Sequence, residues 1–189
     1  MRQLASRLFT HPNSALFLVL IAAFSRLIPH PPNFTPVLSI ALFSGAVFPD
    51  RWRAFAVPLL GMLLSNVVLG FYTISWVVIG LITSLAFLGR FLRPVEQAGG
   101  EHPEMPNTRA WLLSSILAAL MFFAVSNFFV WLLSGYYPQT WQGLLTCYGM
   151  AIPFFQNTLI STILYSAVLF EGQKLALWLT GKANTPTPV

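Results

Sequence analysis

The chain has 189 residues, of which only ten are Lys or Arg and five are Asp or Glu, for a net charge of +5. Hydrophobic residues make up 56% of it, and its mean hydropathy is +0.71. Since a soluble domain carries about a quarter charged residues, the composition argues against a water-soluble fold. The modest positive charge is typical of the cytoplasmic loops of a membrane protein, so no nucleic-acid partner is expected.

Two long segments, Ala54 to Gly89 and Ala110 to Phe170, contain no charged residue. One membrane span needs about 17 to 25 apolar residues, so each segment can hold more than one span. The stretch from Ala110 to Val130 is almost continuously apolar, whereas a transmembrane barrel needs strict alternation. We therefore predict an all-α fold: a polytopic membrane protein whose residues 1–182 form a single six-helix transmembrane bundle.

The first predicted helix begins after Asn13, a capping residue, and ends before the prolines of segment 29–32. Pro36 suits the first position of the second helix, where its missing N–H would be unpaired anyway. Residues 93–109 have loop composition. The predicted helices cover residues 15–28, 36–48, 54–69, 74–92, 110–134 and 153–172.

The stretch from Thr140 to Phe170 is too long for one ordinary span. Pro153 removes a helical hydrogen bond within it, which predicts a break in the helix at that residue. We therefore predict a short external helix over residues 140–150, followed by the last membrane helix. The tail 183–189, rich in Thr and Pro, is predicted to be disordered.

Orientation follows from the positions of the basic residues, because cytoplasmic loops carry an excess of Lys and Arg. With the N-terminus inside, all five acids and nine of the ten basic residues fall on the inner side. An odd number of spans would instead place Lys174 and Lys182 outside. Both termini are therefore predicted to be cytoplasmic, and Arg26 is the one charge near the outer side.

No zinc-type cysteine and histidine pattern, phosphate-binding glycine loop or serine nucleophile elbow is present. We therefore expect neither an enzyme nor a cofactor. Polar and aromatic residues instead concentrate at the predicted outer level of the bundle, where they are candidates for ligand binding. The candidates are Arg26, His30, Asn33, Asn127, Trp131, Tyr137, Tyr148, Gln156 and Asn157.

Each candidate also has an explanation without a ligand. Arg26 could contact either a ligand or the lipid headgroups, since a guanidinium within a span is costly unless it finds a partner. The amides could hydrogen-bond across helices, and Trp131 and Tyr137 fit an interfacial aromatic belt. Cys147 is a small apolar filler or, together with His30, a ligand for the cobalt of a corrinoid.

The segment RLIPHPPNFTP at 26–36, followed by ALFSGA at 41–46, resembles the opening of an uncharacterised family of small six-helix bacterial membrane proteins that are labelled as transport proteins. The segment AIPFFQNT at 151–158 is similar to the second signature of that family. The resemblance covers nearly the whole chain and implies a multi-pass protein of the bacterial inner membrane. It names no substrate.

More distantly, six short helices, a small-residue-rich second helix and the chain length resemble the S components of energy-coupling-factor (ECF) transporters. This resemblance implies uptake of a vitamin-like small molecule, of which cobalamin is one candidate, bound near the outer face under a lid formed by 135–150. It also implies an ECF-type coupling subunit with ATPases as partners. The chain departs from the S-component docking face, because Ala15, Ala22 and Ala23 include no pair four apart.

A non-transporting membrane scaffold or assembly protein is the alternative function. Ala41 and Gly45 are four residues apart in the second predicted helix, as are Gly61 and Ser65 in the third. Small residues at this spacing let two helix backbones approach closely. The spacing fits internal packing and a docking face for a membrane partner equally well.

Overall fold

The computed structural model describes residues 12–93 and 105–179, and these ranges contain six α-helices and no strand. The all-α prediction is therefore confirmed. The predicted disordered tail and most of the predicted 93–109 loop lie outside the described residues. The helices are α1 Pro12–Leu27, α2 Val37–Val47, α3 Arg51–Leu69, α4 Thr73–Arg90, α5 Thr108–Leu133 and α6 Trp141–Leu179.

Four of these helices, α3 to α6, are long and apolar enough to cross a membrane. Large apolar side chains such as Val67, Phe87 and Leu113 are exposed on them, as expected of surfaces that face lipid. Helix α2 has 11 residues, about 16 Å at 1.5 Å per residue, and is too short to span a core of about 30 Å. The apolar helices are compatible with a multi-pass membrane protein.

Helix α2 lies at the centre of the bundle. Every residue from Val37 to Ala46 is buried, and the helix contacts all five other helices. Its hydroxyl groups hydrogen-bond to neighbouring helices: Ser39 Oγ donates to the Thr162 carbonyl oxygen (2.8 Å), and Ser44 Oγ donates to the Ala54 carbonyl oxygen (2.9 Å). A short apolar helix thus acts as the core of the bundle.

The small residues singled out in the sequence form close helix–helix contacts inside the bundle. A Cβ built on Gly45 would lie 2.0 Å from the Ala86 carbonyl oxygen of α4, and one built on Gly61 of α3 would lie 2.6 Å from Ala22 Cβ of α1. Ala41 is fully buried. The Ala41 and Gly45 face is therefore covered by α4 and is not free to bind another protein, contrary to what the scaffold alternative requires.

The predicted break at Pro153 is wrong, because α6 runs without interruption through this residue. Residues 141–150 form the first part of this helix, so the predicted separate helix at 140–150 is also wrong. A proline costs one backbone hydrogen bond, and a helix packed against neighbours can absorb that loss. At 39 residues, α6 is about 58 Å long, longer than one span requires.

Glu171 connects α6 to the first turns of α5. Its Oε1 accepts hydrogen bonds from Trp111 Nε1 (2.7 Å), Thr108 Oγ1 (2.9 Å) and Lys174 Nζ (2.8 Å). The Trp111 ring is buried and stacks on Phe170, with centroids 6.1 Å apart and an interplanar angle of 3°. This network fixes the end of the bundle opposite the candidate site described below.

Candidate functional site

The linker between α1 and α2 packs against α6. Asn157 Nδ2 donates to the Pro32 carbonyl oxygen (3.0 Å), and Ser161 Oγ donates to the Asn33 carbonyl oxygen (3.4 Å). Asn33 adopts φ of 63°, a left-handed conformation that asparagine tolerates better than most residues. This anchoring places the Asn33 side chain at the wall of a cavity.

The cavity has a volume of about 190 Å³ and lies between the first two turns of α4, the outer half of α5 and the middle of α6. The outer half of α5 means the half nearest its C-terminus, which is outside under the predicted orientation. Lining residues on α5 and α6 repeat at intervals of three and four, so each helix presents one face to the cavity. The lining residues are Asn33, Ile74, Val78, Phe122, Phe123, Ser126, Asn127, Val130, Ala151, Phe154, Phe155 and Thr158.

Four of the lining residues are polar, and their hydrogen bonds leave free capacity. The two hydroxyls, Ser126 Oγ and Thr158 Oγ1, each donate to the carbonyl oxygen four residues earlier (2.5 and 2.9 Å) and keep their lone pairs. Asn127 Nδ2 donates to the Phe123 carbonyl oxygen (2.8 Å). Among the described residues, no donor is hydrogen-bonded to Asn127 Oδ1. The wall therefore offers hydrogen-bond acceptors to a ligand.

The cavity lining contains no charged residue. An ion would therefore lose its hydration without gaining a counter-charge, whereas a neutral molecule would not. The volume is below the roughly 300 to 1,000 Å³ of pockets for drug-sized ligands and slightly above a cavity of about 150 Å³ that binds benzene. The site can hold a small, mostly apolar molecule that carries a hydrogen-bond donor.

Two of the nine residues predicted to bind a ligand, Asn33 and Asn127, line this cavity. Asn157 instead anchors the α1–α2 linker, while Gln156 is exposed on α6. His30 is also exposed, with Nδ1 2.8 Å from the Pro31 carbonyl oxygen. These three residues lie outside the cavity lining.

The predicted aromatic residues lie in α5, in the α5–α6 turn and in the first part of α6, and two of them hydrogen-bond to backbone carbonyl groups. Trp131 Nε1 donates to the Pro138 carbonyl oxygen (2.9 Å), and Tyr148 Oη donates to the Ala124 carbonyl oxygen (2.5 Å). Tyr137 is half-buried in the turn. The first part of α6, expected to act as a lid, is therefore packed along α5.

Arg26 hydrogen-bonds to α3. Its Nη1 donates to Ser65 Oγ and to Asn66 Oδ1 (2.7 Å), and it lies 3.5 Å from the Met62 carbonyl oxygen. Ser65 and Asn66 are both buried. The guanidinium thus finds polar partners inside the bundle and links α1 to α3, an arrangement different from both a ligand contact and a headgroup contact.

Cys147 is buried between α5 and α6, and its Sγ donates to the Asn127 carbonyl oxygen (3.5 Å). Within residues 12–93 and 105–179, no group of three His, Cys, Asp or Glu side chains could hold a metal ion. Burial and an internal hydrogen bond favour the filler interpretation of Cys147.

Sequence reasoning missed most of the cavity wall, including Phe122, Phe123, Phe155 and both hydroxyl residues. A usable signal was present, since Ser126 and Asn127 on α5 and Thr158 on α6 interrupt otherwise apolar helix faces. Whether these polar side chains line a cavity depends on which helix faces pack together, and only the packing of α4, α5 and α6 determines that.

No curated protein matches the chain, and no solved structure matches it. The likeness to ECF S components therefore rests on the residues and the helix count alone. A family model matches residues 8–184, which is nearly the whole chain. The protein belongs to the family of unknown function DUF6580.

Proposed function

We propose that the protein is a membrane-embedded binding protein for a small neutral molecule, which it holds in the cavity between α4, α5 and α6 during uptake. The observation that carries this proposal is the uncharged, mostly apolar wall with unused acceptors on Asn127, Ser126 and Thr158. Water leaves such a site readily because few groups hold it there. A ligand would be oriented by one or two hydrogen bonds and bound mainly by apolar contact.

The location of the cavity supports a role in uptake. If the basic residues lie on the cytoplasmic side, then both termini are cytoplasmic and the cavity lies near the outer face of a bacterial inner membrane. S components of ECF transporters hold their ligands at this level. Ala22 and Ala23 of α1 are buried in the bundle, so an ECF-type coupling subunit with its ATPases would have to dock on another surface.

The size of the cavity restricts the substrate. A volume of about 190 Å³ is far too small for a corrinoid, and Cys147 contacts Asn127 rather than the cavity. We therefore propose a substrate with a single small ring or a short chain, carrying a hydroxyl or amide group, in place of cobalamin. A vitamin precursor or vitamin fragment of this size would fit.

The proposal is tested by identifying what is bound to the purified protein. The full chain is extracted from membranes in mild detergent, and its small molecules are analysed by mass spectrometry beside Asn127→Leu and Gln156→Leu. Both variants replace an amide by an apolar side chain, but Gln156 is exposed and outside the cavity. We expect one compound on the wild type and on Gln156→Leu, and about five- to tenfold less on Asn127→Leu, in line with one hydrogen bond.

Two results would contradict the proposal. One is the absence of any enriched compound other than bulk lipid in the wild type. The other is equal amounts of the compound in all three proteins, because that would place its binding site away from Asn127.

A further inference from the structure

The end of the bundle opposite the cavity carries several positively charged side chains. Four arginines lie where the α2–α3 turn meets the end of α4: Arg51, Arg53, Arg90 and Arg93. We call this set the arginine cluster. It is separate from the cavity, none of whose lining residues belongs to it.

Close helix packing brings the cluster together. A Cβ on Gly89 of α4 would lie 2.1 Å from the Leu42 carbonyl oxygen of α2, so the end of α4 is in backbone contact with the middle of α2. Just beyond them, Arg93 Nη1 donates to the Pro49 carbonyl oxygen in the α2–α3 turn (3.2 Å). The arginines at the start of α3 and at the end of α4 are therefore neighbours because of the backbone, whatever their side chains do.

The acid within the cluster is already engaged. Asp50 Oδ1 accepts from the Trp52 backbone N–H at the start of α3 (3.0 Å), and Asp50 Oδ2 is 3.7 Å from Arg53 Nε. Within the described residues, this pairing leaves the other three guanidinium groups of the cluster, those of Arg51, Arg90 and Arg93, without a carboxylate partner. Among the described residues, the cluster is thus short of negative charge.

Arg90 shows this shortage at the level of a single atom. Its Nη1 is buried and has no hydrogen-bond partner among the residues that the structure describes, while Arg51 and Arg93 are like-charged neighbours within electrostatic reach. A buried guanidinium N–H without an acceptor is costly. Arg90 as a whole is only half-buried, so its side chain can turn toward an anion at the surface of the cluster and gain the missing acceptor.

Two exposed aromatic side chains indicate which anion fits. Trp52, between Arg51 and Arg53 in the chain, is 84% exposed, and Phe91, next to Arg90, is 73% exposed. Aromatic rings beside basic residues at the end of membrane helices are typical of the headgroup region. A phosphate attached to acyl chains would satisfy the arginines and cover these rings, which a free phosphate ion would not do.

We propose that the arginine cluster is a binding site for the headgroup of an anionic phospholipid such as phosphatidylglycerol. Arg90 and Arg93 contact the phosphate through charge-assisted hydrogen bonds, and the acyl chains lie against Trp52 and Phe91. Basic pockets between membrane helices are a common means of recognising acidic lipids. The site is independent of the ligand in the cavity, so either proposal can fail without the other.

The test measures lipid retention. The full chain is reconstituted in vesicles of equal parts phosphatidylglycerol and phosphatidylcholine, re-extracted, stripped of loosely bound lipid and analysed by mass spectrometry. We expect the wild type to retain phosphatidylglycerol over phosphatidylcholine by about fivefold or more, and Arg90→Gln to fall close to parity. Arg109→Gln is the matched control, because it removes the same charge from an exposed residue on α5 outside the cluster.

A second measurement distinguishes a loss of lipid binding from misfolding of the variant. Phosphatidylglycerol should raise the melting temperature of the wild type and of Arg109→Gln above that in phosphatidylcholine, and should raise that of Arg90→Gln much less. An unchanged lipid preference in Arg90→Gln would overturn the proposal, as would an equal loss in Arg109→Gln, which would indicate a general effect of charge.

Glu96, Glu101 and Glu104 follow Arg93 in the sequence, and neutralisation by these carboxylates is the competing explanation to be tested. Neutralising all three to Gln should leave the lipid preference of the wild type intact or increase it. A preference that is absent from the wild type and present only in this triple variant would assign the arginines to the loop and overturn the proposal.

Discussion

Gly45 of α2 and Ala86 of α4 pack so closely that a Cβ on Gly45 would lie 2.0 Å from the Ala86 carbonyl oxygen. The two backbones are therefore in direct contact, and a side chain of any size would push them apart. Because α2 contacts each of the other five helices in the described part of the chain, this contact fixes the position of the element around which the bundle is built.

Replacing Gly45 by alanine should destabilise the protein. Extra atoms in a packed core cost about 1 to 3 kcal/mol, and here they would meet backbone rather than a flexible side chain. Gly80→Ala is the control, since its Cβ would meet nothing within 4 Å and alanine favours the helix by about 0.5 to 1 kcal/mol. Thermal unfolding in detergent should show a lower midpoint for Gly45→Ala only. A midpoint at or above that of the wild type would contradict the contact.

Arg26 and Asn66 should be energetically coupled. Removing the guanidinium leaves buried Asn66 Oδ1 without its donor, at a cost of about 1 to 3 kcal/mol. In a double-mutant cycle of Arg26→Ala and Asn66→Ala, the second change should therefore cost much less once the first has been made. Additive losses would show that the hydrogen bond contributes nothing. Ligand retention should be unaffected by Arg26→Ala, because Arg26 does not line the cavity.

The interaction of Glu171 with Trp111 predicts a graded loss of stability. Glu171→Gln keeps an oxygen that can accept from the indole N–H, so its cost should be small. Glu171→Leu leaves that N–H unpaired at a ring that is 4% exposed, and should cost about 1 to 3 kcal/mol. In a Trp111→Phe background the difference between Gln and Leu should shrink. Equal effects in both backgrounds would contradict the assigned hydrogen bond.

Continuity of α6 is tested at Pro153. If the helix passes through this residue, Pro153→Ala restores one backbone hydrogen bond and should raise stability by up to about 3 kcal/mol. Pro58 of α3 is a useful comparison, because it is also inside a helix but is buried, so Pro58→Ala loses packing as well. A lower stability of Pro153→Ala would show that the fold needs a break there.

The sequence predicted the helices well and their packing less well. Charge-free segments, prolines and capping residues locate the first five helices within a few residues, since these signals are local. The sixth helix, predicted at 153–172, instead covers Trp141–Leu179. The break at Pro153 failed because the cost of a proline is weighed against tertiary contacts that the sequence does not display. Ala41 and Gly45 were recognised as a close-contact pair, but which helix they contact is a property of the whole fold.

The candidate site could likewise be predicted only in part. Asn33 and Asn127 were identified as candidate ligand-binding residues, and both line the cavity. Arg26 was singled out by its charge, yet its partners Ser65 and Asn66 are about 40 positions later in the chain and could not be paired with it from spacing. Phe122 and Phe155 are apolar residues in apolar helices, and the sequence offers no signal that separates them from lipid-facing residues.

The central claim is that the cavity between α4, α5 and α6 holds a small molecule. Native mass spectrometry of the wild type beside Val130→Trp and Leu117→Trp tests it most directly. Both changes add an indole to α5, but Val130 lines the cavity, whereas Leu117 is 45% exposed and does not line it. We predict a bound small molecule on the wild type and on Leu117→Trp, and an empty Val130→Trp of normal stability. The same bound mass on a folded Val130→Trp would contradict the claim.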